Sequence, residues 1–141
     1  MLLCALLSLA ACGTVANPER TLNPERQVVF EDFEVRSLDF GTDSVMDVYA
    51  RPSLAQAPVA VVLHGGSTDG LRQLKPFASD LARRNIVVFV PEWPAITDLR
   101  SFAEDPEPSL VEQTVAVICA LRETRAVASQ FGGDGDHLTL I

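Results

Sequence analysis

The chain has 141 residues, the length of one ordinary domain. Hydrophobic residues make up 48% of it, which excludes a disordered polyelectrolyte, a collagen or a low-complexity tail. Nineteen acidic against eleven basic residues give a net charge of −8 and argue against a nucleic-acid partner, because binding to phosphates needs a basic face. Three cysteines are too few for a disulfide scaffold, and no Cys/His cluster indicates zinc.

The first twelve residues (MLLCALLSLAAC) form an uncharged, apolar segment. A run of this length is shorter than the roughly 20 residues that span a bilayer, and it suits the apolar core of a secretory signal. Residues 9–13 (LAACG) resemble the bacterial lipobox, which implies lipid attachment to the sulfur of Cys12 and cleavage before it. We therefore expect a secreted or periplasmic lipoprotein with membrane attachment through Cys12. An ordinary cleaved signal, a misplaced start and a buried helix are the alternatives.

Residues 13–26 are predicted to be a linker. The tetrapeptide N-P-E-R occurs at 17–20 and again at 23–26, and each proline disfavours helix at the asparagine before it. Two copies are too few for a repeat architecture. The predicted organisation is a signal segment at 1–12, this linker, and one domain at 27–141.

The domain begins with two predicted strands. Residues 27–38 place Phe33 and Val35 between charged neighbours, which is typical of a half-buried strand. Residues 41–44 (GTDS) predict a turn, and residues 45–50 (VMDVYA) predict the second strand. Together they predict an antiparallel hairpin at the edge of a sheet.

The remaining residues alternate between apolar strands and helices. Continuous apolar runs predict strands that are covered on both faces, and apolar stripes at helical spacing predict the helices between them. The predicted elements are a strand at 58–64, a helix at 71–84, a strand at 86–90, a Pro-rich acidic loop at 91–106, a helix opened by a Ser109–Glu112 capping box, a turn at 131–136 and a strand at 138–141.

This order, β-β-β-α-β-α-β, predicts an α/β fold in which the antiparallel hairpin edges a parallel βαβαβ unit. Ligands of such sheets bind beyond the carboxyl ends of the parallel strands. Functional residues are therefore expected in the loops that follow His64, Val90 and Ile141.

The first of these loops begins with His64, Gly65 and Gly66. Glycines at the end of a buried strand allow a substrate close to the backbone, where two N–H groups can stabilise an oxyanion. The same residues also suit a simple tight turn between a strand and a helix. The residues of this loop alone do not separate the two interpretations.

Four stretches resemble the esterase/lipase branch of the α/β-hydrolase fold: DVYARP (47–52), APVAVVLHGG (57–66), NIVVFVPEW (85–93) and SQFGGDGDHLTLI (129–141). The resemblance implies that Gly65, Gly66 and Ser67 form the oxyanion loop, with Ser67 in place of a frequent third glycine. The N–H groups of Gly66 and Ser67 are then the expected oxyanion donors.

The resemblance also implies that the nucleophile motif G-x-S-x-G should follow Ile141 directly, with the acid and histidine of the triad beyond it. The sequence therefore looks like an α/β-hydrolase truncated before the nucleophile elbow. The implied parent is a serine carboxylesterase-like hydrolase that acts on a small-molecule ester through an acyl-enzyme and needs no metal or cofactor. The chain alone is expected to be inactive and, because its last strand is a bare apolar edge, to self-associate.

Two other interpretations remain open. One is a non-catalytic lipoprotein or binding domain, or a pseudogene remnant, built on the same sheet. The other is a peptidase or a dienelactone-type hydrolase of the same fold.

Several candidate sites have simpler structural explanations. A Ser67/His64 dyad is disfavoured because His64 ends a buried strand. His137 is expected at a turn or on the surface, and Cys119 is expected to be a buried small side chain, since nothing nearby would lower the pKa of its thiol. Residues 132–136 (GGDGD) predict a turn rather than a calcium loop.

Overall fold

The computed structural model describes residues 28–29, 33–40, 44–65, 69–92 and 107–141. The predicted signal segment and linker lie outside the described residues. Their boundaries, and the lipid on Cys12, stay predictions.

Six strands form one mixed sheet. They are β1 (Val28–Val29), β2 (Glu34–Phe40), β3 (Ser44–Ala50), β4 (Ala57–Val61), β5 (Val87–Pro91) and β6 (Gly133–Leu140). The spatial order is β1-β2-β3-β5-β4-β6. Strand β4 runs parallel to β5 and β6, whereas the pairs β1–β2, β2–β3 and β3–β5 are antiparallel. The predicted α/β class, with an antiparallel edge beside a parallel unit, is confirmed.

The helices cover the two faces of this sheet. Helix α1 spans Gly70–Arg83, helix α2 spans Glu107–Val127, and a 3₁₀ turn at Ala128–Phe131 follows α2. Alternate side chains of β5 point to opposite faces: Phe89 packs in the core under α2, and Val88 packs in the core under α1. Strand β5 is buried along its whole length, as a strand between two helical layers must be.

The N-terminal hairpin differs from the prediction in its first arm. The segment predicted as one strand, 27–38, contains all of β1 and the first five residues of β2, which continues to Phe40. The hairpin itself is β2–β3, with Val35 opposite Tyr49. Phe33 and Val35 are buried, as the alternating pattern predicts.

Helix α2 begins at Glu107, two residues before the predicted cap at Ser109. Proline usually ends helices, but in the first turn its missing N–H costs nothing because that group has no intrahelical partner. Pro108 therefore fits inside the helix. Because the helix already includes Ser109, that residue is not its N-cap, and the capping-box prediction is wrong.

Strand β6 begins at Gly133, five residues earlier than predicted. Residue Ala57 pairs with Gly133 and Val59 with Leu138, so β6 holds three extra residues between two positions of β4. Within that bulge the Asp134 carboxylate accepts the Asp136 N–H at 3.0 Å. The aspartate still makes the local bond of a turn, but it does so inside an irregular strand.

Candidate active site at the carboxyl edge of the sheet

The carboxyl ends of β4 and β6 lie side by side. The Leu63 N–H donates to the Ile141 carbonyl at 2.8 Å, and the Ile141 N–H donates to the Val61 carbonyl at 2.9 Å. The hydrogen-bonded ladder therefore continues beyond β4 to the residue just before His64. It brings Ile141 next to the start of the His64–Gly65 loop.

His64 is a buried support of that loop. Its side chain is 7% exposed, and ring Nδ1 is hydrogen-bonded to the Gly65 carbonyl. A carbonyl oxygen can only accept, so Nδ1 carries the proton. An imidazole held in this way positions the loop backbone, which agrees with the prediction that His64 is not a catalytic base.

Gly70, the first residue of α1, makes room for this imidazole. A Cβ at position 70 would lie 2.2 Å from Cγ and Cδ2 of His64, far inside van der Waals contact. Glycine is therefore required here for close approach rather than for backbone freedom. Sequence reasoning missed this contact. The available signal was a glycine at a helix start, four residues after the His-Gly-Gly run.

The predicted oxyanion residues are described in part. Gly65 is exposed, and a Cβ there would meet nothing within 4 Å. The backbone at Gly65 is therefore open to a ligand. Gly66 and Ser67, the predicted donors, lie outside the described residues.

A cavity of about 340 Å³ lies beside this loop. Its volume is at the lower end of the range for small-molecule sites. Leu110, Val117 and Ile118 make much of its wall apolar. The Thr114 hydroxyl on the same wall donates to the Leu110 carbonyl at 2.7 Å. The lining consists of the loop residues His64 and Gly65 and one face of α2: Leu110, Gln113, Thr114, Val117 and Ile118. That α2 forms this wall was not predicted.

A second cavity, of about 320 Å³, lies where β6 begins, against Gly132. It is therefore at the amino end of β4 and β6, away from the edge where ligands of such sheets bind. Its Arg36 donates to the Glu34 carboxylate at 3.0 Å and lies 5.9 Å from the ring centre of Phe131. We assign this cavity no role in catalysis.

The other candidates match their simpler explanations. His137 is exposed and bonds to Asp134 at 2.7 Å, and this bond together with the Asp136 N–H lowers the pKa of the Asp134 carboxyl. Cys119 is buried, as predicted, but it is disulfide-bonded rather than a free thiol, so it is no thiolate nucleophile. The described part of the chain holds no group of three His, Cys, Asp or Glu side chains that could bind a metal ion.

Glu92 follows β5 at the same edge, and its N–H donates to the Val45 carbonyl at 2.8 Å. This bond ties the end of β5 to β3. Trp93 lies outside the described residues. In the described segments, no helix is both long and apolar enough to cross a bilayer.

No family model and no curated protein matches the sequence. Solved structures do match in fold, and several are esterases. A bacterial heroin esterase superposes with a TM-score of 0.59 at 18% identity, over 80% of this chain and 36% of that one. Thermogutta terrifontis esterase 2, phosphorylated by paraoxon, gives 0.54 at 15% identity, over 79% of this chain and 43% of that one.

A cold-adapted esterase from an Arctic intertidal metagenomic library gives 0.56 at 15% identity, over 85% of this chain and 54% of that one. The chain thus spans between about a third and a half of the length of these three proteins. The mixed sheet, the two helical layers and the loop at the carboxyl edge agree with that match. The described residues therefore share the fold of the corresponding part of these three structures.

Proposed function

We propose that the chain is the oxyanion-hole half of a carboxylic ester hydrolase. The observation that carries the proposal is the hydrogen bond between Leu63 and Ile141, which sets the end of β6 beside the His64–Gly65 loop and its cavity. A nucleophile placed just after β6 would then lie next to the N–H groups that stabilise its oxyanion. Acyl transfer needs these two groups within a few ångströms of one carbonyl.

In the proposed reaction, a serine hydroxyl attacks the carbonyl carbon of a small ester. The backbone N–H groups of Gly66 and Ser67 donate to the carbonyl oxygen as it becomes an oxyanion. The alcohol leaves, an acyl-enzyme remains, and water releases the acid. The reaction calls for no metal or cofactor.

This 141-residue chain would contribute the oxyanion loop, its His64 support and one wall of the cavity. We propose that the serine, acid and base belong to a longer parent protein. Removing a whole triad leaves only the small rate enhancement that comes from the oxyanion hole and binding. We therefore expect negligible hydrolysis by the chain alone.

We also propose that the parent is secreted or periplasmic and attached to the membrane through a lipid on Cys12. The apolar first twelve residues and the lipobox-like LAACG support this location. Mass spectrometry of the protein made in a bacterial host tests it. A diacylglycerol-modified Cys12 at the N-terminus is expected. A lipidated sulfur cannot form a disulfide, so a Cys12 that is joined to Cys119, or is otherwise without lipid, would contradict the anchor.

Labelling by an organophosphate tests the hydrolase proposal. Paraoxon transfers its phosphoryl group to an activated serine with loss of nitrophenolate, and the Thermogutta structural neighbour is phosphorylated by it. A longer product of the same reading frame should gain one diethyl phosphate, while the 141-residue chain should gain none. A longer product that contains the serine motif and stays unlabelled would contradict the proposal.

The alternative is a non-catalytic binding domain on the same sheet. The cavity beside Gly65, lined mainly by apolar side chains of α2, is the observation that favours it. A binding domain would hold a small apolar ligand in this cavity without turning it over.

A further inference from the structure

The cavity at the amino end of β4 and β6 is lined by polar side chains from three separate elements. The β2–β3 hairpin, the loop after β3 and the 3₁₀ turn after α2 enclose a volume of about 320 Å³. The polar side chains that line it are Glu34, Arg36, Arg51, Ser53, Ser129 and Gln130. None of them belongs to the candidate active site, so the cavity needs an explanation of its own.

The floor of this cavity is one face of the β2–β3 pair. Glu34 lies opposite Ala50 and Arg36 lies opposite Val48, so these four side chains share one side of the sheet. Val48 and Ala50 are buried in the core, whereas Glu34 and Arg36 are half-buried. Arg36 donates from Nε and Nη2 to one oxygen of the Glu34 carboxylate, at 3.0 Å from Nε. The charges of this pair balance each other, which leaves the floor close to neutral.

Arg51 is the second cation of the cavity, and its described partner is neutral. The side chain is half-buried directly after β3, and its Nη1 donates to the Asn85 side-chain oxygen at 3.0 Å. An amide carries no charge, so the positive charge of Arg51 is not balanced by this bond. The bond also leaves Nε and Nη2 available, and that edge of a guanidinium matches the two oxygens of a carboxylate.

Backbone contacts hold the walls of the cavity in place. The Ala57 N–H donates to the Gly132 carbonyl at 2.9 Å, which joins the loop after β3 to the 3₁₀ turn. A Cβ at Gly132 would lie 2.1 Å from the Leu54 carbonyl oxygen, so the two segments are in close contact. Ser53 on this wall has a φ of +64°, which is uncommon for residues other than glycine. Packing that holds a residue in such a conformation is concentrated at ligand sites.

We propose that this cavity binds a small organic monocarboxylate, whose two oxygens accept hydrogen bonds from Nε and Nη2 of Arg51. The hydroxyls of Ser53 and Ser129 are further donors on the wall. A monoanion matches the single positive charge that remains, whereas a dianion would bring an unbalanced charge close to Glu34. The volume is at the lower end of the range for small-molecule sites. The proposal does not depend on the hydrolase proposal, because the two sites share no residue.

Two ligands of nearly the same shape separate charge from fit. Fluorine NMR titrations compare 4-fluorobenzoate with its neutral counterpart 4-fluorobenzamide, using the full 141-residue chain. We expect saturable binding of the benzoate, about fivefold tighter than that of the benzamide, as one charged hydrogen-bonded contact at a half-buried site would give. A chain of net charge −8 that lacks such a site would favour the neutral ligand.

The variant Arg51→Gln keeps an amide at this position and removes the charge, so it should abolish the preference for the benzoate. Arg125→Gln is the matched control, because Arg125 is an exposed arginine that pairs with Asp136 outside the cavity, and it should leave the preference unchanged. Far-UV circular dichroism checks that each variant is folded.

Ser129→Tyr is a second, independent variant. Ser129 is exposed at the rim of the cavity, so a tyrosine there should obstruct entry and weaken the binding of both ligands without disturbing the core. Equal binding of the two ligands, no saturable binding of the benzoate, or a preference that survives in Arg51→Gln would each overturn the proposal. So would a Ser129→Tyr variant that binds both ligands like the unmodified chain.

Discussion

The Leu63 N–H donates to the Ile141 carbonyl across 2.8 Å, at the point where β4 and β6 reach the carboxyl edge of the sheet. Two segments 78 residues apart in sequence are therefore neighbours at the site. One brings the glycine-rich loop, and the other is the strand end at which the resemblance expects a nucleophile. This contact connects the fold to the proposed chemistry.

Replacing Gly70 with alanine should destabilise the protein by about 1–3 kcal/mol. The added Cβ would lie 2.2 Å from the His64 ring, which would have to leave its buried position. Urea unfolding measures the difference. Gly65→Ala is the matched control, because a Cβ at Gly65 meets nothing within 4 Å and should change stability little.

Gly132 is required for a different reason. Its φ of +77° lies in the left-handed region, and a Cβ there would lie 2.1 Å from the Leu54 carbonyl oxygen. Gly132→Ala is therefore both strained and overpacked, so it should lower the free energy of unfolding by about 1–3 kcal/mol. An unfolding midpoint equal to that of the parent would contradict the geometry of this turn.

The Asp134–His137 pair should make stability depend on pH in acid. Hydrogen bonds from His137 and the Asp136 N–H lower the pKa of Asp134 below its ordinary 3.8. A carboxyl whose pKa is lower in the folded state stabilises the fold above its unfolded pKa. That contribution is lost as the pH falls through the folded value.

Asp134→Asn should consequently destabilise the protein at neutral pH and make progressively less difference below about pH 4. Unfolding of the parent and the variant at a series of pH values measures this gap. If the difference in free energy of unfolding between the two proteins stayed constant through the acid range, the charge of the Asp134 carboxylate would not contribute to stability. Asp80→Asn, which loses a carboxylate in an exposed pair on α1, controls for a general charge effect.

The isolated chain should self-associate through the apolar end of β6. Leu140 and Ile141 are 52% and 50% exposed, at an edge of the sheet where no further strand pairs within the described part of the chain. Leu140→Lys should shift the chain toward monomer in light scattering, because charged side chains block pairing at strand edges. Gln130→Lys adds the same charge at another exposed position and should leave the association state unchanged.

The purified chain should not hydrolyse p-nitrophenyl acetate above background, because we propose that the serine, acid and base belong to a longer protein. A preparation of Gly66→Pro, which removes a predicted oxyanion N–H, controls for contaminating esterases. Hydrolysis by the unmodified 141-residue chain that is lost in the Gly66→Pro variant would show that the chain is catalytic by itself.

Much of the fold follows from local patterns. The continuous apolar runs around Val61 and Val88 mark strands covered on both faces, and both are buried in the sheet. Alternation around Phe33 and Val35 marks the edge hairpin. These predictions succeed because a strand buried on one face alternates apolar with polar residues, and a strand buried on both faces is apolar throughout.

The errors arise where the same residue types are common in two different local structures. Ser109 and Glu112 suggested the start of a helix that in fact begins at Glu107, and the aspartates of 134–136 suggested a turn but lie in a bulged strand. The wall that α2 builds and the His64–Gly70 contact depend on how distant elements pack. No local pattern records that information.

Sequencing the encoding DNA past codon 141 tests the hydrolase proposal. We expect the reading frame to continue, directly or after one frameshift, into G-x-S-x-G immediately after Ile141, so that the serine lies beside the His64–Gly65 loop. A clean stop with no hydrolase-like sequence downstream would contradict it. The chain would then be a non-catalytic domain or a gene remnant on an α/β-hydrolase sheet.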